Sequence, residues 1–211
     1  MTVKESGKIR VFCVDDHPLI REGISFALQF QKDMELVGEA ADGEEAIAEF
    51  RRLRPDVTLM DLQMPGLSGI DAIGTIRHEF PKARIIVLTT YSGDIQASRA
   101  LKAGAVGYLL KSMLRTDLVN TIRDVHMGRK HIPPEIAASM AEHLSLDSLS
   151  VREIEVLRCV AAGHSNKIVA GDLSISEDTV KGHMKSILAK LGANDRTHAV
   201  LIAMKRGFLD G

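Results

Sequence analysis

The stretch VTLMDLQMPG, residues 57–66, decides how the first half of the chain is interpreted. It is apolar or β-branched up to Met60, as expected of a buried strand, and Asp61 then precedes a turn at Pro65-Gly66. A single acidic residue in this position is most often a turn former or the N-cap of the following helix. Whether Asp61 has a further role depends on how the neighbouring strands end.

Short apolar runs alternate with amphipathic segments through this part of the chain. Strands are predicted at 9–16, 34–41, 56–61, 83–90 and 106–112, and helices at 17–30, 43–53, 68–79, 94–103 and 116–127. Pro18 fits a first helical turn, and Asp42 and Ser68 are suitable helix caps. The alternation predicts an α/β domain at residues 8–126, with a doubly wound, five-stranded parallel sheet. We take its strand order to be 2-1-3-4-5, one of the common orders of such sheets.

Residues 127–147 interrupt this pattern and are predicted to form a linker. Gly128 should end the fifth helix, and Pro133-Pro134 cannot lie inside a continuous helix. The segment 134–144 still favours a short helix that begins after these prolines.

The C-terminal part, residues 148–211, contains only helical patterns, predicted at 150–163, 166–173, 176–192 and 195–207. Ser150 and Glu153 have capping-box spacing at the start of the first. The second and third are separated only by Ser174 and Ile175, so they must cross at a steep angle. This arrangement predicts an all-α four-helix domain with a helix-turn-helix.

The composition is that of an ordinary globular protein, with 45% hydrophobic and 26% charged residues and a formal net charge of −1. Cys13 and Cys159 lie in apolar runs and are predicted to be reduced core residues. No apolar run reaches about 18 residues, and the N-terminus lacks a hydrophobic signal core. We therefore expect a soluble, cytoplasmic protein without a membrane partner.

Polar side chains end four of the five predicted strands: Asp15 and Asp16, Asp61, Thr89 and Lys111. In a parallel sheet these ends lie along one edge, and ligands bind where the strand order reverses. Three carboxylates cannot stay ionised together without a counter-charge, which Mg²⁺ with its oxygen ligands would supply. Asp61 could then attack a phosphoryl donor, with Lys111 offsetting the charge that builds on the phosphoryl oxygens.

Each of these residues alone has an ordinary structural explanation. Asp16 could cap the first helix, Lys111 could be a solvated strand end, and Tyr108 could be half-buried packing. Their joint occurrence at successive strand ends favours a functional site.

The segments VDDHPLIREG, PDVTLMDLQMPGLSGID, IIVLTTYS and KAGAVGYLLKS resemble the receiver domain of bacterial two-component response regulators. The resemblance implies that Asp61 accepts the phosphoryl group. It also implies that Mg²⁺ is bound directly by Asp16, Asp61 and the backbone carbonyl of Gln63, and through water by Asp15.

The same resemblance implies that Thr89 and Tyr108 form a switch pair. One departure is Lys111-Ser112, since many receivers have Lys-Pro there, and the loop after the fifth strand is therefore expected to differ.

The long helix at 176–192 carries a basic surface. A helical wheel places Val180, Met184, Ile187, Leu188 and Leu191 toward the core and Asp178, Gly182, Lys185, Ser186 and Ala189 outward, with Lys181 at the edge of the outer face. Charge alone is compatible with an ordinary lysine-bearing surface helix. The helix-turn-helix pattern favours the alternative, a helix that enters the DNA major groove.

Residues 149–200 closely resemble the LuxR-type DNA-binding domain, and with the receiver the chain is similar to the NarL/FixJ family of response regulators. The resemblance implies that Lys181, Gly182, His183 and Lys185 lie in or beside the DNA major groove. It also implies that Asn166, Lys167, Ser176 and Thr179 lie near the DNA phosphates. A second departure is Gly171-Asp172, where the family often has two basic residues, and a carboxylate facing DNA would repel phosphate.

These features together predict a DNA-binding transcriptional regulator, not an enzyme, that a sensor histidine kinase phosphorylates on Asp61. Activation is expected to change the surface of helix four, strand five and helix five. That surface, or the one on helices one and five, would then form a homodimer or release the DNA-binding domain, and so promote binding to double-stranded DNA. Two alternatives remain open. One is a Mg²⁺-dependent phosphatase or phosphotransferase, and the other is a phosphorylation-independent DNA binder that uses the receiver only to dimerise.

Overall fold

The computed structural model describes residues 7–90, 94–143 and 149–209. The chain forms two compact units, which comprise Met1–Thr90 with Ala97–Pro134 and Tyr91–Gln96 with Glu135–Gly211. The domain limits expected from the sequence stay predictions, and their residues 144–148 and 210–211 lie outside the described part of the chain. Within the described residues no helix has both the length and the apolar character that crossing a bilayer requires.

The first unit is built on a five-stranded parallel sheet. Its strands are β1 (Ile9–Val14), β2 (Met34–Ala40), β3 (Val57–Asp61), β4 (Ile85–Thr89) and β5 (Gly107–Leu110). They are ordered β2-β1-β3-β4-β5, which confirms the predicted fold. Every residue of β3 and β4 is buried, because helices cover both faces of the sheet, and this explains their continuous apolar runs.

The helices of this unit are α1 (Pro18–Gln29), α2 (Gly43–Leu53), α3 (Gly69–Glu79), α4 (Asp94–Ala103) and α5 (Leu114–His126). Their starts follow the sequence signals. Pro18 is the first residue of α1, and the side chains of Asp42 and Ser68 accept hydrogen bonds from the backbone amides of Glu45 and Asp71.

The chain after β5 differs from the predicted pattern. The strand ends at Leu110 rather than at residue 112, a 3-10 turn follows at Lys111–Met113, and α5 begins two residues earlier than predicted. Lys111 is thus the first residue beyond the ladder, where its side chain points back over the end of the sheet.

The start of the predicted linker lies along the free edge of β5. Tyr108 N donates to His131 O at 2.7 Å, and His131 N donates to Val106 O at 3.2 Å. The short helix expected after the prolines is α6 (Pro134–His143), and its first residue is Pro134, where a missing amide proton costs no helical hydrogen bond.

The second unit contains α7 (Val151–Ala161), α8 (Asn166–Asp172), α9 (Glu177–Leu191) and α10 (Arg196–Arg206). These helices surround a compact apolar core that includes Val156, Leu157, Val169, Val180, Ile187, Ala199 and Ala203. Cys13 is fully buried, as predicted, and Cys159 is partly buried and packs against the core of the second unit.

Glu153 anchors this second unit. Its carboxylate accepts hydrogen bonds from Ser150 N at 2.7 Å, Ser186 Oγ at 2.6 Å and Lys190 Nζ at 2.9 Å. The prediction that Ser186 faces outward was therefore wrong, because its hydroxyl is drawn to a carboxylate that is only 4% exposed. Burial opposes ionisation of this group, but the hydrogen bonds outweigh it and lower the pKa of Glu153 to about 2.

Replacing Glu153 by Gln should destabilise the second unit in a pH-dependent way. Because the folded pKa lies below the unfolded value of about 4.5, the stabilisation is fully present above that pH and is lost as the pH falls toward 2. We expect E153Q to lower the free energy of unfolding by about 2 kcal/mol at pH 7.

Amide hydrogen exchange of α7 in the full chain would measure this difference. The control is E155Q. Glu155 pairs with Arg152 at 2.7 Å in a more exposed position, so its replacement should change the free energy of unfolding little. Equal protection of E153Q and the wild type at pH 7 would contradict the anchoring role.

Candidate functional site

Three acidic side chains meet at the C-terminal edge of the sheet, where the strand order reverses between β1 and β3. Asp15 is fully buried, Asp61 is 2% exposed, and the side chain of Asp16 is 28% exposed. One ligand atom from each, together with one from His17, lies within 4.8 Å of the others. The sequence analysis expected this gathering of the three aspartates.

Lys111 lies between two of these carboxylates. Its Nζ atom is 2.8 Å from Asp15 Oδ2 and 2.8 Å from Asp61 Oδ2. Burial favours the neutral amine, but the contacts with both carboxylates outweigh it and raise the pKa of Lys111. The pKa of Asp61 is also raised, because burial outweighs the opposing influence of Lys111.

The backbone around Asp61 is closely packed. Gly69, at the start of α3, lies so near that a Cβ atom there would come within 1.9 Å of the Asp61 carbonyl oxygen. Only glycine is compatible with this approach. Gln63, which was predicted to offer its carbonyl to the metal, donates its backbone amide to Asp61 Oδ1 at 3.3 Å.

The donor set suits Mg²⁺. Asp15, Asp16 and Asp61 supply only carboxylate oxygens, which are the hard ligands that this ion prefers, and Asp16 faces the solvent from which its retained waters would come. Asp16 and Asp61 would hold the ion, where it would offset negative charge on a phosphoryl group.

His17 is a member of this cluster that the sequence analysis missed. Its Nδ1 atom is 2.7 Å from Asp16 Oδ1 and 3.2 Å from Asp15 Oδ1, and its backbone amide donates to Asp15 Oδ1 at 2.9 Å. His17 is also the N-cap residue of α1, the role considered for Asp16. Its position directly after two strand-end aspartates was the available signal.

Thr89 and Tyr108 lie beside this pocket on β4 and β5. Tyr108 is fully buried and Thr89 is 1% exposed. Burial raises the pKa of Tyr108 to about 12, and a side-chain hydrogen bond with Thr89 opposes that shift. The two residues predicted to act as a pair are therefore in direct contact.

The residues predicted to enter or flank the DNA groove form a largely exposed surface in the second and third turns of α9. Lys181, Gly182 and Lys185 are exposed, and His183 is half-buried. Lys181 Nζ is 2.8 Å from Asp178 Oδ1, and this contact raises the pKa of Lys181. Its charge is thus partly offset by a neighbouring carboxylate, which sequence periodicity did not predict.

The remaining predicted contacts lie at the starts of α8 and α9. Ser176 Oγ accepts a hydrogen bond from Thr179 N at 3.1 Å and lies 2.8 Å from Thr179 Oγ1, so both hydroxyls are part of the cap. At the start of α8, Lys167 is exposed and Asn166 is half-buried. Asp172, at the end of α8, has its Oδ2 atom 2.9 Å from His164 Nδ1.

Comparison with known families agrees with this architecture. A family model described as the response regulator receiver domain matches residues 11–123. A second model, described as bacterial regulatory proteins of the luxR family, matches residues 147–203.

Two similar proteins match this chain over nearly its full length. The transcriptional regulatory protein YxjL of Bacillus subtilis is 40% identical over 96% of this chain and 98% of its own length. The response regulator protein VraR of Staphylococcus aureus is 37% identical over 95% of this chain and 99% of its own length.

Solved structures give the same result. The response regulator RcsB in complex with DNA is 30% identical, covers 94% of this chain and 99% of its own, and has a TM-score of 0.69. ChrA, a response regulator of a heme-sensing two-component system, is 36% identical, covers 96% of this chain and 100% of its own, and has a TM-score of 0.58. The chain therefore belongs to the LuxR-type response regulators, the DNA-binding transcriptional regulators of two-component systems that join a receiver domain to a helix-turn-helix domain.

Proposed function

We propose that a sensor histidine kinase phosphorylates this regulator on Asp61 and that phosphorylation promotes dimerisation and binding to double-stranded DNA. The observation that carries the proposal is the buried Asp61 carboxylate, held beside Asp15 and Asp16 and paired with Lys111 at 2.8 Å. A buried carboxylate with a cation and further acidic ligands around it is suited to accept a phosphoryl group, because the negative charge that arrives can be offset at once.

In the transfer step, an oxygen of the Asp61 carboxylate forms a bond to phosphorus as the phosphorus–nitrogen bond of a phosphohistidine breaks. The electron pair of that bond leaves with the imidazole. Lys111 then pairs with the phosphoryl oxygens, which replace the Asp61 carboxylate oxygen as its partner, while it keeps Asp15 within reach.

Thr89 and Tyr108 provide the second part of the response. The Thr89 hydroxyl can donate a hydrogen bond to a phosphoryl oxygen, and this new contact would alter its present bond with Tyr108. Tyr108 is fully buried, so its side chain cannot move unless the residues packed around it also move. Such a movement would change the surface formed by α4, β5 and α5. Phosphorylation thereby favours one of two conformations, because the contact with the phosphoryl group exists in only one of them.

The face formed by α1 and α5 is the better of the two predicted dimer surfaces. Leu19 and Phe26 on α1, and Phe30 directly after it, are 80%, 63% and 67% exposed. Exposed apolar side chains this large commonly mark interaction sites. A dimer would place two α9 helices on paired half-sites, which compensates for the weak binding of one small domain.

Replacing Asp61 by Asn should abolish phosphorylation, because the amide is a poor nucleophile. Incubation with labelled acetyl phosphate and Mg²⁺ should label the wild type and the control D71N, in which an exposed aspartate of α3 is changed, but not D61N. Labelling of D61N would contradict the assignment. Unchanged DNA binding and promoter regulation in D61N would instead support the phosphorylation-independent alternative.

Replacing Lys111 by Met should separate metal binding from phosphoryl transfer. Removing the ammonium leaves Asp15 and Asp61 without their cation, so Mg²⁺ should bind about fivefold more tightly, equivalent to about 1 kcal/mol. Labelling by acetyl phosphate should nevertheless fall strongly. Calorimetric titration with Mg²⁺ measures the first effect, and K102M, which changes an exposed lysine of α4, is the control. Weaker Mg²⁺ binding in K111M would contradict this account.

The contact between Lys181 and Asp178 makes two opposite predictions for DNA binding. K185A should weaken binding and reduce the slope of log affinity against log salt by about one, because one phosphate contact is lost. D178N should strengthen binding, because it frees Lys181 from its partner. Fluorescence anisotropy over a salt series tests both, with K205A on α10 as the control. A weaker D178N complex would show that Asp178 holds Lys181 in its binding position.

A further inference from the structure

Three side chains with different metal-binding atoms meet where α7 passes into α8. The chain reverses after α7 at Gly163, whose φ is +85°, and His164 N donates to Cys159 O at 3.1 Å. This turn brings His164 back over the last turn of α7. Asp172 ends α8 and approaches from the other side, so that Cys159, His164 and Asp172 each offer an atom within 4.8 Å of the other two.

We propose that Cys159, His164 and Asp172 bind a transition-metal cation of the zinc class. Thiolate sulfur, imidazole nitrogen and carboxylate oxygen are the three ligand types of protein zinc sites. Metal–ligand distances of about 2.0–2.3 Å place tetrahedral ligands about 3.3–3.8 Å apart. The three ligand atoms now lie within 4.8 Å of one another, and the 2.9 Å contact between His164 Nδ1 and Asp172 Oδ2 must open to admit the ion.

The charges around the site favour a divalent cation. A thiolate and a carboxylate together neutralise two positive charges, and the imidazole binds as a neutral ligand. Arg196 is the nearby cation, and its Nη2 atom donates to the His164 carbonyl at 2.7 Å. The positive charge of Arg196 would repel a bound cation, so the negative charges of the Cys159 thiolate and the Asp172 carboxylate are needed to offset it.

The site is accessible without opening the core. The side chains of His164 and Asp172 are 40% and 44% exposed, and Cys159 is partly buried against the core of the second unit. Three protein ligands at the surface leave the fourth position to water.

This site differs in its chemistry from the acidic pocket of the receiver domain. The pocket supplies carboxylates and His17 but no sulfur. The other cysteine of the sequence, Cys13, is fully buried in β1. A signal from a metal–thiolate bond therefore reports the Cys159 site alone.

A bound metal fastens the end of α7 to the end of α8. The loop between these helices leads directly into Asn166 and Lys167, two of the predicted phosphate contacts. Because the metal holds this part of the helix-turn-helix in one arrangement, metal binding and DNA binding are thermodynamically coupled.

The test uses the full-length chain, reduced with a phosphine and freed of metal by a chelator. Co²⁺ is titrated in excess Mg²⁺, which occupies the acidic pocket. We expect about one equivalent of Co²⁺ to produce thiolate-to-cobalt charge-transfer absorption and the visible bands of a tetrahedral site, and Zn²⁺ to displace it. Absence of the charge-transfer absorption in the wild type overturns the proposal.

Variants assign the ligands. C159S should lose the charge-transfer absorption, and H164Q and D172N should each weaken Co²⁺ binding at least about tenfold. C13A and D61N should bind Co²⁺ like the wild type, so that failure of phosphorylation does not affect the result. Retention of the absorption in C159S, or unchanged affinity in both H164Q and D172N, overturns the proposal. Circular dichroism confirms that each variant is folded, and a Zn²⁺-dependent rise in thermal stability should appear only in chains that keep all three ligands.

Discussion

The first unit depends on one lysine that lies between two buried carboxylates and offsets part of their charge. Asp15 and Asp61 end adjacent strands with almost no exposure to solvent, and two negative charges so placed would repel each other strongly. Lys111 comes from β5, two strands beyond β3, which is about 10 Å away at ordinary strand spacing. A long, flexible side chain is needed to cover this distance.

The two units meet the need for buried charge in similar ways. In each, a carboxylate with little exposure is held by a lysine and by further hydrogen-bond donors, as Asp61 is by Lys111 and Glu153 by Lys190. Their pKa values nevertheless shift in opposite directions, upward for Asp61 and downward for Glu153. Burial favours the neutral form of both groups. It prevails at Asp61, where the Asp15 carboxylate adds to it, whereas three hydrogen-bond donors outweigh it at Glu153. The fully satisfied carboxylate is a fixed structural group, and the less satisfied one remains available for reaction.

Most of the fold and the acidic pocket could be predicted from sequence because they depend on local patterns. The parallel sheet follows from β-α alternation, and helix starts follow from Pro18, Asp42, Ser68 and Ser150, all of which occupy their expected positions. The strand-end aspartates gather because parallel strands share an edge. Mg²⁺ was inferred from the chemistry of the carboxylates, whereas the switch role of Thr89 and Tyr108 and the DNA-facing residues were inferred from resemblance. All of these remain proposals.

The errors arose where tertiary contacts override periodicity. Ser186 lies near the border of the α9 surface, and only the position of Glu153 on another helix turns it inward. Likewise, the contact between His164 and Asp172 crosses a loop and has no periodic signature. His17 was overlooked because a residue at a helix start has an ordinary explanation, although its ring contacts both preceding aspartates.

The pairing of His131 with the edge of β5 has a mechanical consequence. Two backbone hydrogen bonds hold residue 131 against Val106 and Tyr108, so the segment that leaves the sheet is attached to the backbone of the buried tyrosine itself. A shift of that backbone must either drag this segment along or break both bonds. The polypeptide that continues toward α6 thus starts from a point whose position depends on the backbone of one buried aromatic residue.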